Sequence, residues 1–151
     1  MSNSIVGVET YSLEIHKDER GAVLHMMRAD QPHFLPVKET YFSVVNAGVV
    51  KGWKRHLEIF QSMVVPVGMI RLLIYDNREN SPTKGVIKAI DFGVDNYLLV
   101  RLPPLVWYSF KAISNDYAMI ANNTTAVHDP KESETLPLEN SIIPFKWAML
   151  D

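Results

Sequence analysis

The sequence contains no cysteine. That absence removes disulfides, zinc–thiolate centres, iron–sulfur clusters and thiol nucleophiles together, and it fits a reducing compartment. An excess of one charge is also missing: 15 Lys and Arg stand against 17 Asp and Glu, a formal net charge of -2. Without a basic surplus a domain cannot bind nucleic acid by releasing many counterions, so no nucleic-acid partner is expected. No apolar run approaches the ~20 residues that cross a bilayer as a helix, and no membrane partner is expected. Met1-Ser2-Asn3-Ser4 has neither the basic nor the apolar region of a secretory leader, which sets the expectation of a cytoplasmic protein. On that expectation the overlapping Asn-x-Thr sequons at Asn122 and Asn123 stay unglycosylated. The seven glycines form neither a phosphate-cradling loop nor a Gly-x-Ser-x-Gly elbow. Long stretches of helical period are absent as well.

What is present is a series of short apolar segments: Tyr41–Val45, Val49–Trp53, Met63–Val67, Met69–Tyr75, Val86–Phe92, Tyr97–Leu102, Val106–Ile113 and Tyr117–Ala121. Most are rich in Val, Ile, Tyr, Phe and Trp, which suit a pleated, half-buried surface. Turn residues separate them, including Asn46-Ala47-Gly48, Asn77–Lys84 and Pro103-Pro104. Strands at this spacing without intervening helices make an antiparallel sandwich or barrel, and 151 residues suffice for one domain. Val86–Phe92 alternates imperfectly, which implies a bulge or burial on both faces. The polar stretch 128–141 reads as a helical turn opening near Pro130 or an external loop. Ile142–Trp147 turns apolar again and is expected to pack down.

The five histidines, His16, His25, His33, His56 and His128, include no pair two to five residues apart. A metal site built from one strand or helix is therefore not expected. The unusual segment is Val49-Val50-Lys51-Gly52-Trp53-Lys54-Arg55-His56, where cations interrupt a strand. Strand alternation puts Gly52, Lys54 and His56 on one face and Lys51, Trp53 and Arg55 on the other. Two meanings fit it: an edge strand whose charges oppose aggregation, or a barrel mouth where Lys54 and His56 meet an anionic or carbonyl substrate. A lysine crowded by cations and desolvated loses its proton more readily and becomes a usable base, while histidine titrates near neutrality unaided. Trp107-Tyr108 is a second candidate, core or contact; Met26-Met27 and Met63 are core filler.

Asp18-Glu19-Arg20-Gly21, Lys51-Gly52-Trp53-Lys54, the run from Asp76 through Asn77, Arg78, Ser81, Pro82 and Thr83 to Gly85, Asn96, Leu102-Pro103-Pro104 through Phe110, and Trp147 carry a resemblance. From about Lys17 to Trp147 the sequence resembles the dTDP-4-dehydrorhamnose 3,5-epimerase family. The resemblance implies an all-β, antiparallel cupin-type (RmlC-like) β-barrel or jelly roll filling 1–151 as one domain. It implies a homodimer, with N-terminal strands in 1–40 at the contact and 128–151 as a C-terminal wrap. It also implies a nucleotide-diphosphate 4-keto-6-deoxy sugar as substrate, with no metal or cofactor. The chemistry is proton abstraction beside the ketone and reprotonation from the opposite face, in deoxysugar and cell-surface polysaccharide biosynthesis.

Carried over position by position, Arg20 retains a pyrophosphate-binding arginine and Lys51 replaces another. The family's catalytic histidine falls on Lys54, and the glutamine two positions later on His56. Its orienting carboxylate falls on Asn140, its tyrosine acid on Asn122, its enolate-stabilising lysine near Gln61, and a second histidine on Tyr108. The usual His, Asp and Tyr are thus replaced, so double epimerisation by the standard residues is not expected. Three readings follow. The first is an altered epimerase or isomerase, with Lys54 or His56 as base, Tyr108 as acid, and Arg20, Lys51, Gln61, Asn122 and Asn140 binding substrate. The second is a sugar-nucleotide-binding barrel without turnover, and the third a stable barrel with a merely solvated cationic strand.

Overall fold

In the computed structural model, which describes residues 3–150, twelve strands form. They are β1 (Glu9–Ser12), β2 (Ile15–Asp18), β3 (Gly21–Leu24), β4 (Glu39–Val45), β5 (Val50–His56), β6 (Gln61–Val67), β7 (Met69–Tyr75), β8 (Ile87–Gly93), β9 (Leu98–Leu102), β10 (Trp107–Ala112), β11 (Ala118–Thr124) and β12 (Ser133–Thr135). One sheet runs β1-β9-β6-β11-β4 and a second β12-β5-β10-β7-β8, with every strand pair antiparallel. The two share a core that includes Val45, Met63 and Ile120 from the first sheet and Leu72, Ile74, Phe92 and Phe110 from the second. Each such side chain contributes about 1.5–3 kcal/mol on burial. Among the described residues no helix is long and apolar enough to cross a membrane.

Each sheet is also covered on its outer side. The hairpin β2–β3 and its flanks set Leu13, Ile15, Leu24, Met26 and Met27 against Val64, Tyr97, Leu99 and Ala121 of the first sheet. On the second sheet, Trp53, Leu73, Tyr75 and Trp107 receive Ile143, Leu136, Phe145 and Trp147 from the C-terminal segment. That segment begins with Asp129, whose side chain caps a short 3-10 turn at Pro130–Glu132, and continues into β12 against β5. The helical turn expected near Pro130 therefore occurs, and where an external loop was the alternative the chain instead adds a short strand to the edge of the second sheet. In β8 the register with β7 is unbroken, and the irregular alternation reflects burial on two sides. Ile90 and Phe92 enter the shared core while Ile87 packs outward.

Strand β5 departs from the expected alternation at one place. Its register against β10 shifts between Tyr108, opposite Lys54, and Ser109, opposite Gly52. Trp53 is the extra residue, so it and Arg55 face outward, where the Arg55 guanidinium lies 4.8 Å from the Trp107 ring centre. Beyond this bulge the side chains switch faces. Lys51, expected beside Trp53 and Arg55, instead lies opposite Phe110 on the inner side with Lys54.

Candidate functional site

The bulge brings both lysines to a cavity of about 340 Å³ between the sheets. Met63, Phe110 and Ile120 form its apolar wall; Tyr41, Gln61, Tyr108 and Asn122 supply polar groups; Lys51 and Lys54 lie at its β5 side. A second pocket of about 440 Å³ adjoins it, lined by Glu39, His56, Ile59, Thr124 and His128. Tyr41 and Lys54 line both and join them. An apolar hollow with a few convergent polar groups is the usual form of a small-molecule site.

His56 ends β5 and is buried. Its Nδ1 stands 2.5 Å from Glu132 Oε1, and its ring stacks on Tyr108 with centres 6.4 Å apart. The other Glu132 oxygen accepts the backbone N–H groups of Leu57, Glu58 and Ile59 at 3.0, 3.0 and 2.9 Å. Burial works against the Glu132 anion, but His56 and these amides outweigh it and hold the carboxyl below its ordinary range. Burial pushes the imidazole down and outweighs the attraction of Glu132, with Lys54 and His128 adding to the downward push. A neutral His56 then donates from Nδ1 to Glu132 and keeps a lone pair on Nε2, an atom that is buried and has no partner. This is the arrangement of a general base oriented by a carboxylate.

Tyr108 is buried at the cavity wall, and desolvation raises its phenol far above the usual value, with Tyr41 adding to the rise and a hydrogen bond from Gln61 opposing it. It is a neutral donor at physiological pH. Asn122 Nδ2 lies 2.8 Å from both the Tyr41 phenol and Gln61 Oε1. Lys51 donates to the Val44 carbonyl at 2.6 Å, tying β5 to the edge strand β4. Lys54 has no carboxylate partner among the described residues. Among those residues, too, no three His, Asp or Glu side chains are grouped to hold a metal ion.

Of the residues singled out in the sequence, Lys51, Lys54, Gln61, Tyr108 and Asn122 meet at the first cavity and His56 at the second. Arg20 and Asn140 are placed elsewhere. Arg20 sits at the exposed tip of the β2–β3 hairpin, paired with Asp18. The Asn140 side-chain Oδ1 accepts from the Ile142 and Ile143 backbone amides at 2.9 and 2.8 Å, which shapes a turn in the C-terminal segment. The carboxylate beside the imidazole is Glu132, and it and Tyr41 escaped the sequence reading. The local signal for Glu132 was the helical turn at Pro130; what the sequence hides is that this turn folds across 76 positions onto the end of β5. The Asp76 segment that carried much of the resemblance lies outside both cavities. There Asp76, fully buried, binds Arg78, Ser81 and Thr83, and Arg78 Nη2 reaches the Val6 carbonyl at 2.6 Å.

The fold is that of an RmlC-like cupin. A dTDP sugar isomerase from Desulfovibrio desulfuricans superposes with a TM-score of 0.94 at 44% identity, covering 97% of this chain and 94% of that one. The sequence profile of dTDP-4-dehydrorhamnose 3,5-epimerase matches residues 2–151, and the chain belongs to that family. A probable low-salt glycan biosynthesis epimerase, Agl13 of Haloferax volcanii, is 33% identical over 148 residues, 95% of each chain. RmlC of Legionella pneumophila, solved in complex with dTDP-4-keto-L-rhamnose, shares the fold with a TM-score of 0.76 at 20% identity, over 85% of this chain and 72% of that one.

Proposed function

We propose that this protein is an epimerase or isomerase of a nucleotide-diphosphate 4-keto-6-deoxy sugar, serving the biosynthesis of a glycan or cell-surface polysaccharide. The observation that supports this reading best is the His56–Glu132 pair with a free, buried Nε2 beside a cavity that holds a neutral phenol and an ammonium. In the proposed reaction His56 Nε2 takes the proton from the carbon next to the ketone. The C–H electron pair moves into the enolate, and the ketone oxygen carries the negative charge beside Lys54. The Tyr108 O–H returns a proton to the carbon from the other face, which inverts it, and solvent exchange restores both groups. Lys51 supplies positive charge for the diphosphate, although it does not offer the bidentate fork of an arginine. The same reading includes a homodimer with residues 1–40 at its contact. It is in keeping with the edge position of β4 and the 64% exposure of Phe42 on it.

The test is deuterium wash-in. The protein is incubated in D₂O with dTDP-, UDP-, GDP- and CDP-linked 4-keto-6-deoxy sugars, and label at the carbons flanking the ketone is followed by NMR. Incorporation with one nucleotide series is expected, lost in His56→Ala. Binding of a sugar nucleotide seen as a thermal shift, with no exchange of any keto sugar, overturns turnover in favour of a binding protein.

A further inference from the structure

The polar floor of the cavity is organised by one amide. Asn122 is buried on β11; its Nδ2 lies 2.8 Å from both the Tyr41 oxygen and Gln61 Oε1, and its Oδ1 has no partner. An amide nitrogen carries two hydrogens and offers no lone pair, so both contacts are donations by Asn122. Reversing the amide would set its oxygen against Gln61 Oε1, two acceptors with no hydrogen between them, and would leave both N–H hydrogens unpaired in a buried site. The Tyr41 oxygen is therefore occupied as an acceptor. Its own O–H finds no acceptor among the described residues, and its ring lines the same two pockets as Lys54.

We infer that Asn122 is a positioning residue: it fixes Tyr41 as an acceptor, so that the Tyr41 O–H, together with the Lys54 ammonium, donates to the carbonyl oxygen of a ligand in this cavity. The ligand class, a compound whose ketone oxygen becomes an enolate, rests on the function proposed above. The orientation of the phenol does not. A hydroxyl and an ammonium converging on one oxygen form an oxyanion site, set before the substrate arrives and strongest once charge develops.

Orientation is tested in the full-length protein labelled with 3-fluorotyrosine, whose phenol ionises at lower pH, by ¹⁹F NMR titration. The Tyr41 resonance is assigned by its loss in Tyr41→Phe. Donation by Asn122 stabilises the phenolate, so Asn122→Leu raises the Tyr41 midpoint by about one unit. A lowered or unchanged midpoint means that Tyr41 donates to the amide, and overturns the inference. Should Asn122→Leu not fold, Tyr41→Phe gives the same answer through the Asn122 side-chain amide protons: an upfield shift supports donation to Tyr41, and no shift overturns it. In deuterium wash-in, Tyr41→Phe is expected to lower kcat about 100-fold with KM changed far less. An unaltered kcat removes the oxyanion role. If the unmodified protein exchanges no keto sugar, the proposed function fails, while the titration still decides how the phenol is held.

Discussion

His56 Nδ1 lies 2.5 Å from Glu132 Oε1, and the second Glu132 oxygen closes on three consecutive backbone amides just beyond β5. One carboxylate thus ends a strand, anchors the C-terminal segment and selects the imidazole tautomer. Replacing it by an amide keeps the shape but loses the charge and half the acceptor capacity. Glu132→Gln is therefore expected to lower the wash-in rate at least about 100-fold, the usual contribution of an oriented proton-transfer group. It is also expected to cost about 3 kcal/mol of stability, because His56 and three amides lose their anionic partner. Wash-in kinetics and urea denaturation measure the two effects separately, and a variant that loses stability but keeps its rate would leave Glu132 a purely structural role.

The same pair sets the direction of the pH dependence. Burial, the largest influence on His56, holds its folded pKa below that of the unfolded chain, about 6.5. As pH falls through that value the unfolded state takes up the proton first, so stability begins to drop. His33, whose imidazole is lowered chiefly by its own burial, acts with the same sign. Glu132 extends the loss at lower pH: its folded carboxyl is depressed, so its contribution is full above the ordinary carboxylate range and disappears as pH falls through its folded value. Calorimetry is expected to show the Tm falling steadily below about pH 6.5, with a shallower fall in His56→Asn, which retains the His33 part and the share of Glu132 that its backbone amides supply. A Tm independent of pH between neutrality and the carboxylate range would contradict the buried neutral imidazole. In activity, the acidic limb is expected to lie below the ordinary histidine value.

How much of this was legible can be judged from β5 itself. The strand, the shared face of Lys54 and His56, and the opposite face of Trp53 and Arg55 follow from side-chain alternation, whereas which face points inward is open between an edge strand and a barrel mouth. Lys51 and Gly52 do not, because the bulge at Trp53 depends on how closely β10 approaches Gly52, and that contact joins segments far apart in sequence. For the same reason Gln61 and Asn122 were found by carry-over while their hydrogen bond was not. Strands β1, β2, β3 and β12 are three or four residues long, too short for a periodic signal: β1 and β12 form by pairing with the sheet edges at β9 and β5, and the β2–β3 hairpin forms where the outer face of the first sheet needs covering. Glu132 was hidden twice, in a polar run that gives no core signal and by a partner 76 positions away.

The Asp76 segment is best understood as a folding device. A carboxylate with no exposed surface receives Arg78 Nε at 2.9 Å and the Ser81 and Thr83 hydroxyls at 2.6 Å each. Desolvation alone would raise its pKa, but these donors hold it far below the usual range. Asp76→Asn leaves Arg78 without its anion, and Arg78 also holds the Val6 carbonyl. The expected cost is about 3–5 kcal/mol, the range for breaking a buried pair from one side. It should appear in urea denaturation, with faster hydrogen exchange near Val6. The cavities lie elsewhere, so at temperatures where the variant remains folded its affinity for a sugar nucleotide is expected to stay within about twofold of the unmodified protein. A large loss of affinity at full fold would mean that this loop contacts the ligand.

Gly52 is where fold and site depend on a single hydrogen atom. A Cβ there would come within 2.8 Å of both Ser109 Cα and Ser109 Cβ, and the backbone φ of +124° lies where side chains are rarely accommodated. Ser109 cannot retreat easily, since its hydroxyl donates to the Lys51 carbonyl at 2.8 Å and accepts from Trp147 Nε1 at 2.9 Å. Gly52→Ala must therefore push β5 away from β10 or straighten the bulge. Straightening restores simple alternation and turns Lys51 to the Trp53 side, out of the cavity. The expected result is a loss of about 1–3 kcal/mol from the strained backbone and the clash. Weaker binding of dTDP should accompany it, with a shallower dependence on salt because the Lys51 ammonium has left the cavity. Gly52→Ala with unchanged stability and unchanged salt dependence would show that the close approach of the two strands does not set which way Lys51 faces.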